Sequence, residues 1–322
     1  MATLRQPAVT LPTAPDSVPD PKPFLKWAGG KRQLLPVLRR FYPTAFGHYF
    51  EPFLGSGAVF FDLVASGHLT ARPATLLDSN PDLVGCYAML RERVGEVMAQ
   101  LATLADGHER DARGHYYDVR SRTFNEARAQ LRRLGTPGAY TPRLAAALIY
   151  LNRTAYNGLF RLNSRGDFNV PLGRYTRPTI CDRPNLTAVS QALSRESVRL
   201  ACGHFADVER QARPGDFLYF DPPYAPTSKT SIFTAYTAGG FGEADQRQLQ
   251  ACVVRLARRG CFVVVSNSTA PLIRELYEDN VEARSAGLEA IRVPARRAIN
   301  SDPSKRGEVL EYVITNVARR GA

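Results

Sequence analysis

The segment at residues 215–224, G-D-F-L-Y-F-D-P-P-Y, holds the residue types that could bind an amino group. Its apolar and aromatic run at 217–220 is typical of a strand buried on both faces. Asp221 then adds a carboxylate, and two prolines end the strand because they cannot continue a hydrogen-bonded ladder. The sequence therefore predicts a carboxylate and a fixed backbone carbonyl at the carboxyl end of a central strand, where open α/β sheets bind ligands.

These groups together suit the exocyclic amine of a nucleobase. The Asp221 carboxylate and the Pro222 carbonyl could accept both amine hydrogens, so that the nitrogen lone pair points at an electrophile. The Tyr224 ring could stack on the base, since every base has a π-face. The alternative is a strand that merely ends at a proline-rich turn, but the aromatic residues on both sides of D-P-P favour the binding of an amine.

A second pattern, a strand followed by a glycine turn and a helix, begins at E-P-F-L-G-S-G, residues 51–57. It is typical of a nucleotide-binding βαβ unit, but it lacks the third glycine of a dinucleotide fingerprint and the Lys-Ser/Thr of a P-loop, so the ligand need not carry a pyrophosphate. Asp78 ends the next predicted strand about 20 residues further on, where a carboxylate can bind ribose hydroxyls. The alternative for Asp78 is a helix N-cap before Pro81.

The charge of the chain predicts a polyanionic partner, and nucleic acid is the first candidate. The 322 residues carry a net charge of +12, and the sequence pI is near 9.7. Residues 119–183 hold twelve arginines, no lysine and three acidic residues, which is most of the excess. Arginine is favoured where planar, bidentate contacts to phosphate or guanine are needed. The alternative is a basic surface that serves only solubility.

The five cysteines form no C-x-x-C pair and have mostly apolar neighbours. We therefore expect buried free thiols in a reducing compartment, without a zinc site or any other metal. No apolar stretch approaches the length of a membrane span, and the N-terminus lacks the apolar core of a signal peptide. These features predict a cytoplasmic protein without membrane contact, and we expect a monomer in solution.

The elements that must position the candidate residues form an interrupted α/β pattern. Residues 23–90 and 186–322 contain the strands, the glycine turn and D-P-P-Y, and we predict that they form one catalytic domain. Residues 91–185 are helical and rich in arginine, and their turns at 152–175 between alternating apolar residues predict a β-hairpin. We interpret this block as an inserted target-recognition domain that binds DNA.

Three other segments and one residue have predictions of their own. Residues 1–22 contain five prolines and predict a disordered tail. The Ser-, Thr- and Gly-rich loop at 225–241 could fold over a bound ligand, and the basic segment 296–307 is a candidate phosphate contact. Trp27, the only tryptophan, precedes a Gly-Gly pair and could be either a core residue or a lid over an adenine ring.

Six motifs, taken in order, resemble those of bacterial DNA adenine-N6 methyltransferases of the GATC type, which occur as orphan enzymes or in restriction–modification systems. They are K-W-A-G-G-K, E-P-F-L-G-S-G, L-L-D-S-N, Y-N-G-L-F-R, F-N-V-P-L-G-R-Y and D-P-P-Y-A-P, and the resemblance covers residues 23–316. The resemblance implies an α/β fold with the Rossmann-like sheet of class I S-adenosylmethionine-dependent methyltransferases, which ends in an antiparallel pair. It also implies S-adenosylmethionine as the cofactor, double-stranded DNA as the partner and methylation of a flipped-out adenine in GATC.

The resemblance further implies roles for individual residues. Asp221, Pro222 and Tyr224 would form the catalytic turn. The residues that would contact the cofactor are Trp27, Lys31, Phe53, Gly55, Asp78, His204, Phe205 and Asp221. Tyr156 would insert into the DNA stack, and the residues that would read the target are Lys26, Asn157, Leu159, Arg161, Pro171 and Arg174. At His204 and at residues 162–165 the sequence departs from the family pattern.

Two other classes of function stay open. One is an amino methyltransferase that acts on RNA or on protein glutamine, since such enzymes share D-P-P-Y. The other is a DNA-binding homologue that has lost its activity, which the intact D-P-P-Y argues against.

Overall fold

A seven-stranded, mostly parallel sheet forms the frame of the protein in a computed structural model, which describes residues 18–226, 240–296 and 308–320. The strand order is β3-β2-β1-β4-β5-β7-β6, and β7 is antiparallel to both of its neighbours. The strands are β1 Tyr49–Glu51, β2 Ala74–Asp78, β3 Val198–Cys202, β4 Phe217–Phe220, β5 Phe262–Ser268, β6 Glu289–Arg296 and β7 Glu308–Thr315. The expected fold class, a Rossmann-like sheet with a terminal antiparallel pair, is confirmed.

Both faces of the sheet are covered, which explains why its middle strand, β4, is apolar or aromatic throughout. Successive residues of β4 alternate between two hydrophobic cores: Phe217 and Tyr219 lie in one, Leu218 and Phe220 in the other. All four are buried, as the apolar run predicted. The candidate carboxylate of Asp221 follows directly where this buried strand ends.

The helices of the described residues pack on the sheet and on one another. They are α1 Leu35–Leu38, α2 Ala58–Ala65, α3 Pro81–Arg110, α4 Ala112–Asp118, α5 Glu126–Arg133, α6 Pro142–Thr154, α7 Arg183–Leu193, α8 Glu243–Arg258, α9 Pro271–Ile273 and α10 Val281–Ser285. A π-helical turn at Val119–Asn125 joins α4 to α5. The helical block predicted at 91–185 is present, although α3 begins ten residues before it and crosses its boundary. No helix in the described part is long and apolar enough to cross a bilayer.

The predicted β-hairpin at 152–175 is less regular than expected. It consists of two isolated antiparallel bridges, Ala155 with Leu172 and Leu162 with Phe168, and a turn in which the Gly166 N–H donates to the Asn163 carbonyl at 2.9 Å. Continuous strands do not form because this stretch contains a proline and several glycines, which weaken a ladder.

Some predictions need correction, and others fall outside the described residues. All five cysteines are free, but Cys202 is exposed and Cys181 is only partly buried, so the expectation that all are buried was wrong. Residues 1–17 of the predicted tail, residues 227–239 of the predicted loop and residues 297–307 of the basic segment lie outside the described ranges.

Candidate active site

The Asp221 carboxylate lies next to a buried ammonium group. Lys31 Nζ is 2.7 Å from Asp221 Oδ1, and the lysine side chain is only 5% exposed. Lys31 reaches this position from a short 3₁₀ turn, Lys31–Gln33, that follows the Gly29-Gly30 pair. Burial raises the pKa of Asp221 to about 6, while the positive charge of Lys31 acts to lower it. The carboxylate is therefore ionised at neutral pH and can accept hydrogen bonds.

The turn that follows Asp221 is held from behind by buried polar side chains. Gln246 Nε2 donates to the Pro223 carbonyl at 2.9 Å, and Asn267 Nδ2 donates to Gln246 Oε1 at 3.0 Å. Ser268 Oγ donates to the Ala225 carbonyl at 2.6 Å. These contacts fix the backbone of the turn, so that the Pro222 carbonyl keeps its direction. Sequence reasoning missed these three supporting residues, because no local spacing links α8 and β5 to the motif.

Two contacts fix the Tyr224 side chain, one at its hydroxyl and one at its ring. Its Oη donates to Glu311 Oε2 on β7 at 2.8 Å, and Lys31 Nζ lies 4.7 Å from its ring centroid. Burial raises the pKa of the Tyr224 phenol well above its usual value, so the hydroxyl stays protonated and continues to donate. Glu311 is a further supporting residue that sequence reasoning missed.

Asp78 joins the two loops that follow β1 and β2. Its Oδ2 accepts from the Gly55 N–H at 3.0 Å, and its Oδ1 accepts from the Asn80 N–H at 2.9 Å. Burial raises the pKa of Asp78, and these backbone N–H groups oppose that shift. The N-cap alternative for Asp78 was wrong, because Asn80 caps α3 through its side-chain oxygen, which accepts from the N–H groups of Asp82 and Leu83.

The glycine turn at Gly55 lies close to Trp27, one of the predicted cofactor contacts. Gly55 has φ +49°, and a Cβ there would lie 3.2 Å from Trp27 Cδ1, so the turn needs glycine for both conformation and space. Trp27 also stacks on Phe160, with ring centroids 5.4 Å apart. The tryptophan thus connects the turn after β1 with residues 152–175, which hold most of the candidate DNA-reading residues and are called the recognition segment below.

Aromatic rings from three segments form a cluster at the ends of β1 and β3. Phe53 stacks on Phe205 at a centroid distance of 5.4 Å, and Phe241 meets both rings edge-on at 5.6 and 5.9 Å. The His204 ring lies 4.2 Å from Phe205, and its Nδ1 accepts from the Ala206 N–H at 3.3 Å, which caps the turn Phe205–Arg210. Phe241 was not predicted, since it follows a long loop with no motif of its own.

Glu51, the first residue of E-P-F-L-G-S-G, is fully enclosed at the end of β1. Its Oε2 accepts from Tyr49 Oη at 2.7 Å and from the Phe60 N–H at 3.0 Å. Burial raises the pKa of Glu51 to about 8. The bond from Phe60 links β1 to the first turn of α2, and the bond from Tyr49 within β1 holds the carboxyl in place, so Glu51 fixes the glycine turn between β1 and α2.

The candidate DNA-reading residues gather around the start of the recognition segment. Asn152 Nδ2 donates to the carbonyls of Lys26 and Gly158, at 2.8 and 2.9 Å. Gly158 has φ +64°, and a Cβ there would lie 2.5 Å from Lys26 Cδ. Between them Tyr156 is 46% exposed, and Asn157 has a left-handed backbone with φ 54°. The structure therefore presents Tyr156 outward on a tightly held turn.

The remaining candidates lie along the irregular hairpin. Arg161, Pro171 and Arg174 are exposed, whereas Leu159 is half-buried. Arg161 Nε donates to Asn169 Oδ1 at 2.8 Å, which leaves the two terminal nitrogens of its guanidinium for a ligand.

The predicted residues thus form two groups that neighbouring residues connect. One group surrounds the carboxyl ends of β1, β2 and β4, and the other lies on the recognition segment. Lys26 packs against Gly158 of the second group, while its neighbour Trp27 packs against Gly55 of the first.

Comparison with known proteins was made for the whole chain. The family model of D12 class N6 adenine-specific DNA methyltransferases matches residues 27–298. The chain is 37% identical to the type II methyltransferase M1.LlaDCHI of Lactococcus lactis subsp. cremoris, with 92% of the chain and 95% of the relative covered. It is 34% identical to the DNA adenine methylase of Escherichia coli K12, with 90% and 93% covered. Among solved structures, it is similar to a precorrin-6y C5,15-methyltransferase from Geobacter metallireducens GS-15 at 10% identity and a TM-score of 0.36, covering 91% of this chain and 97% of that one.

Proposed function

The chain belongs to the D12 class N6 adenine-specific DNA methyltransferases, and from this membership we propose that it methylates adenine N6 within GATC in duplex DNA. The family match carries the methylation of adenine N6, because residues 27–298 include the D-P-P-Y turn. The likeness of Y-N-G-L-F-R and F-N-V-P-L-G-R-Y to the motifs of the GATC group supports the proposed site. Against this match, the alternative of an enzyme for RNA or protein has no comparable support, and the intact D-P-P-Y turn argues against an inactive homologue.

The residues around β1 and β2 suit S-adenosylmethionine, which supplies an electrophilic methyl group when bound. The Asp78 carboxylate ends β2 beside a glycine turn, a position from which it can accept hydrogen bonds from ribose hydroxyls. Phe53 and Phe205 provide apolar ring surface for an adenine, and the backbone of Gly55 allows close approach. In this proposal Trp27, Lys31 and His204 border the same site.

The D-P-P-Y turn would bind the target base after it leaves the duplex, since N6 is not reachable inside a base pair. Asp221, ionised above about pH 6, and the Pro222 carbonyl accept the two amine hydrogens. The Tyr224 ring, fixed through Glu311, stacks on the base. Positioning and the exclusion of water supply most of the rate, and no covalent bond to the enzyme is needed.

The recognition segment would open the duplex and read its sequence. Tyr156 is the exposed ring that could fill the gap left by the extruded adenine. Arg161 is the proposed reader of guanine, because arginine contacts guanine O6 and N7 in the major groove and GATC presents one guanine on each strand. Lys26, Asn157, Leu159, Pro171 and Arg174 complete the proposed contact surface.

Methylation rates on duplexes with GATC and with every single-base variant test the site. We expect wild type to prefer GATC, and Arg161→Ala to relax the preference at the guanine by about 1–3 kcal/mol. Arg165→Ala is the matched control, since Arg165 is exposed on the same hairpin. Equal rates of wild type on GATC and its variants would reject the site. An unchanged ranking in Arg161→Ala would reject Arg161 as the reader.

A further inference from the structure

The ammonium of Lys31 is buried at the centre of the catalytic turn. It lies 2.7 Å from Asp221 Oδ1, it donates to the carbonyl of Gly29, and it faces the Tyr224 ring at 4.7 Å. A lysine is almost never buried to 5% exposure unless its charge is paired. These three partners therefore restrict the ammonium to one position.

The two oxygens of the Asp221 carboxylate have different surroundings. Oδ1, the oxygen next to Lys31, is buried and accepts no hydrogen bond from the described residues, so its contact with the ammonium at 2.7 Å is an ion pair. The side chain as a whole is 19% exposed, so its exposure lies on other atoms. This arrangement leaves Oδ2 as the oxygen that an incoming amine can reach.

We propose that Lys31 is a positioning residue for the target base: its ammonium fixes Oδ1 of Asp221, so that Oδ2 and the Pro222 carbonyl together face the adenine amine. This inference rests on the proposed function, and it assigns Lys31 to the base as well as to the border of the cofactor site. The Gly29 carbonyl and the Tyr224 ring set the position of the ammonium, and the ammonium sets the rotation of the carboxylate.

The same contact controls the charge of the carboxylate. Burial raises the pKa of Asp221 to about 6, and Lys31 opposes the shift. Loss of the ammonium must raise this pKa further. A protonated Asp221 has a hydrogen on one oxygen and accepts an amine less well, so the rate should be lost at a higher pH.

The first test is the pH dependence of single-turnover methylation by wild type, Lys31→Met and Lys31→Arg, with saturating DNA and cofactor. We expect the acidic limb of Lys31→Met to move upward by about one pH unit or more, because a close opposite charge lowers a carboxyl pKa by that amount. Lys31→Arg keeps the charge and should keep the limb near that of wild type. An acidic limb of Lys31→Met that coincides with wild type would overturn the proposal.

A second test measures binding instead of activity. Duplexes with adenine or with purine, which lacks the N6 amine, at the target position are bound in the presence of S-adenosylhomocysteine. At neutral pH we expect the preference of wild type for adenine to be about tenfold, which is the lower end of the value of a hydrogen bond to a charged acceptor. Lys31→Met should lose most of this preference, and equal preferences in the two proteins would contradict the proposal.

Calorimetry of the cofactor without DNA separates this role from cofactor binding. Lys31 also borders the proposed cofactor site, so the affinity measured for Lys31→Met sets the cofactor concentration that saturates this variant in the two tests above. A loss of cofactor affinity of about tenfold or more, the value of one charged hydrogen bond, together with an unmoved acidic limb would make Lys31 a cofactor ligand and overturn the proposal. In the first two tests the duplex carries the site that wild type methylates best. If that site is not GATC, the rates of wild type alone show it, and the comparison between wild type and the Lys31 variants remains valid.

Discussion

At the scale of single residues, Asp78 gives a direct test of the cofactor site. Its carboxylate accepts from two backbone N–H groups and still lies at the end of β2, where ribose would bind. We expect Asp78→Ala to weaken S-adenosylmethionine binding by about ten- to a hundredfold, since a charge-assisted hydrogen bond contributes about 1.5–3 kcal/mol. Titration calorimetry measures this change directly.

Asp78→Asn is the matched control for shape. It keeps the size and one acceptor but loses the charge, so we expect an affinity between those of wild type and Asp78→Ala. If both variants bound S-adenosylmethionine as tightly as wild type, Asp78 would have only the structural role of joining the Gly55 and Asn80 loops.

The candidate residues could be predicted where a short motif ends a strand. Asp221 directly follows the apolar residues of β4, and Asp78 directly follows the apolar residues of β2. The residues that hold the catalytic turn could not be predicted in this way. Glu311 reaches Tyr224 across 87 positions, and Gln246 reaches Pro223 across 23, so only the folded sheet brings them together.

At the scale of elements, the regular strands were predictable and the recognition hairpin was only partly so. The predicted strand at 217–220 matches β4 because all four of its residues are buried inside the sheet. The hairpin at 152–175 depends instead on single contacts, such as the Tyr156 N–H that donates to the Pro171 carbonyl at 2.9 Å. Alternating apolar residues indicated the reversal of the chain but not how few bridges it would form.

The short turn Tyr156–Gly158 predicts how the duplex is opened. Its backbone is fixed by Asn152 and by the close packing of Gly158 on Lys26, so Tyr156 extends from a rigid base. We expect Tyr156→Ala to reduce base extrusion, because a ring that fills the gap offsets the cost of unstacking. The measurement is the rise in fluorescence of 2-aminopurine at the target position when the enzyme binds.

Tyr156→Phe is the control for this prediction. It keeps the ring and removes only the hydroxyl, so it should give the same fluorescence rise as wild type. A full rise with Tyr156→Ala would show that Tyr156 does not act as the wedge.

At the scale of the whole molecule, the proposed recognition block, residues 91–185, is tied to the sheet frame by a buried ion pair. Arg128 of α5 donates from Nε and Nη2 to the two oxygens of Asp82 in α3, at 2.7 and 2.5 Å. Its Nη1 donates to the Gly166 carbonyl in the hairpin turn at 2.7 Å. Tyr140 Oη adds a third bond to Asp82 at 2.8 Å. Not every arginine of the basic block is therefore available to DNA.

This pair predicts that a change in the recognition block destabilises the frame as well. We expect Arg128→Met to lower the free energy of unfolding by about 3–5 kcal/mol, because Asp82 is left as a buried charge without its cation. Trp27, the only tryptophan, contacts both Gly55 and Phe160, so its fluorescence during denaturation reports on the junction of the two parts.

Arg132→Met provides the comparison within the same helix. Arg132 bonds to the same Gly166 carbonyl at 3.1 Å and lies 3.7 Å from Asp167, but both partners of that ion pair are about one-third exposed. Exposed pairs contribute about 0–1 kcal/mol, so we expect a small effect. Equal losses of stability in the two variants would mean that the hairpin turn, and not the buried pair with Asp82, connects the recognition block to the frame.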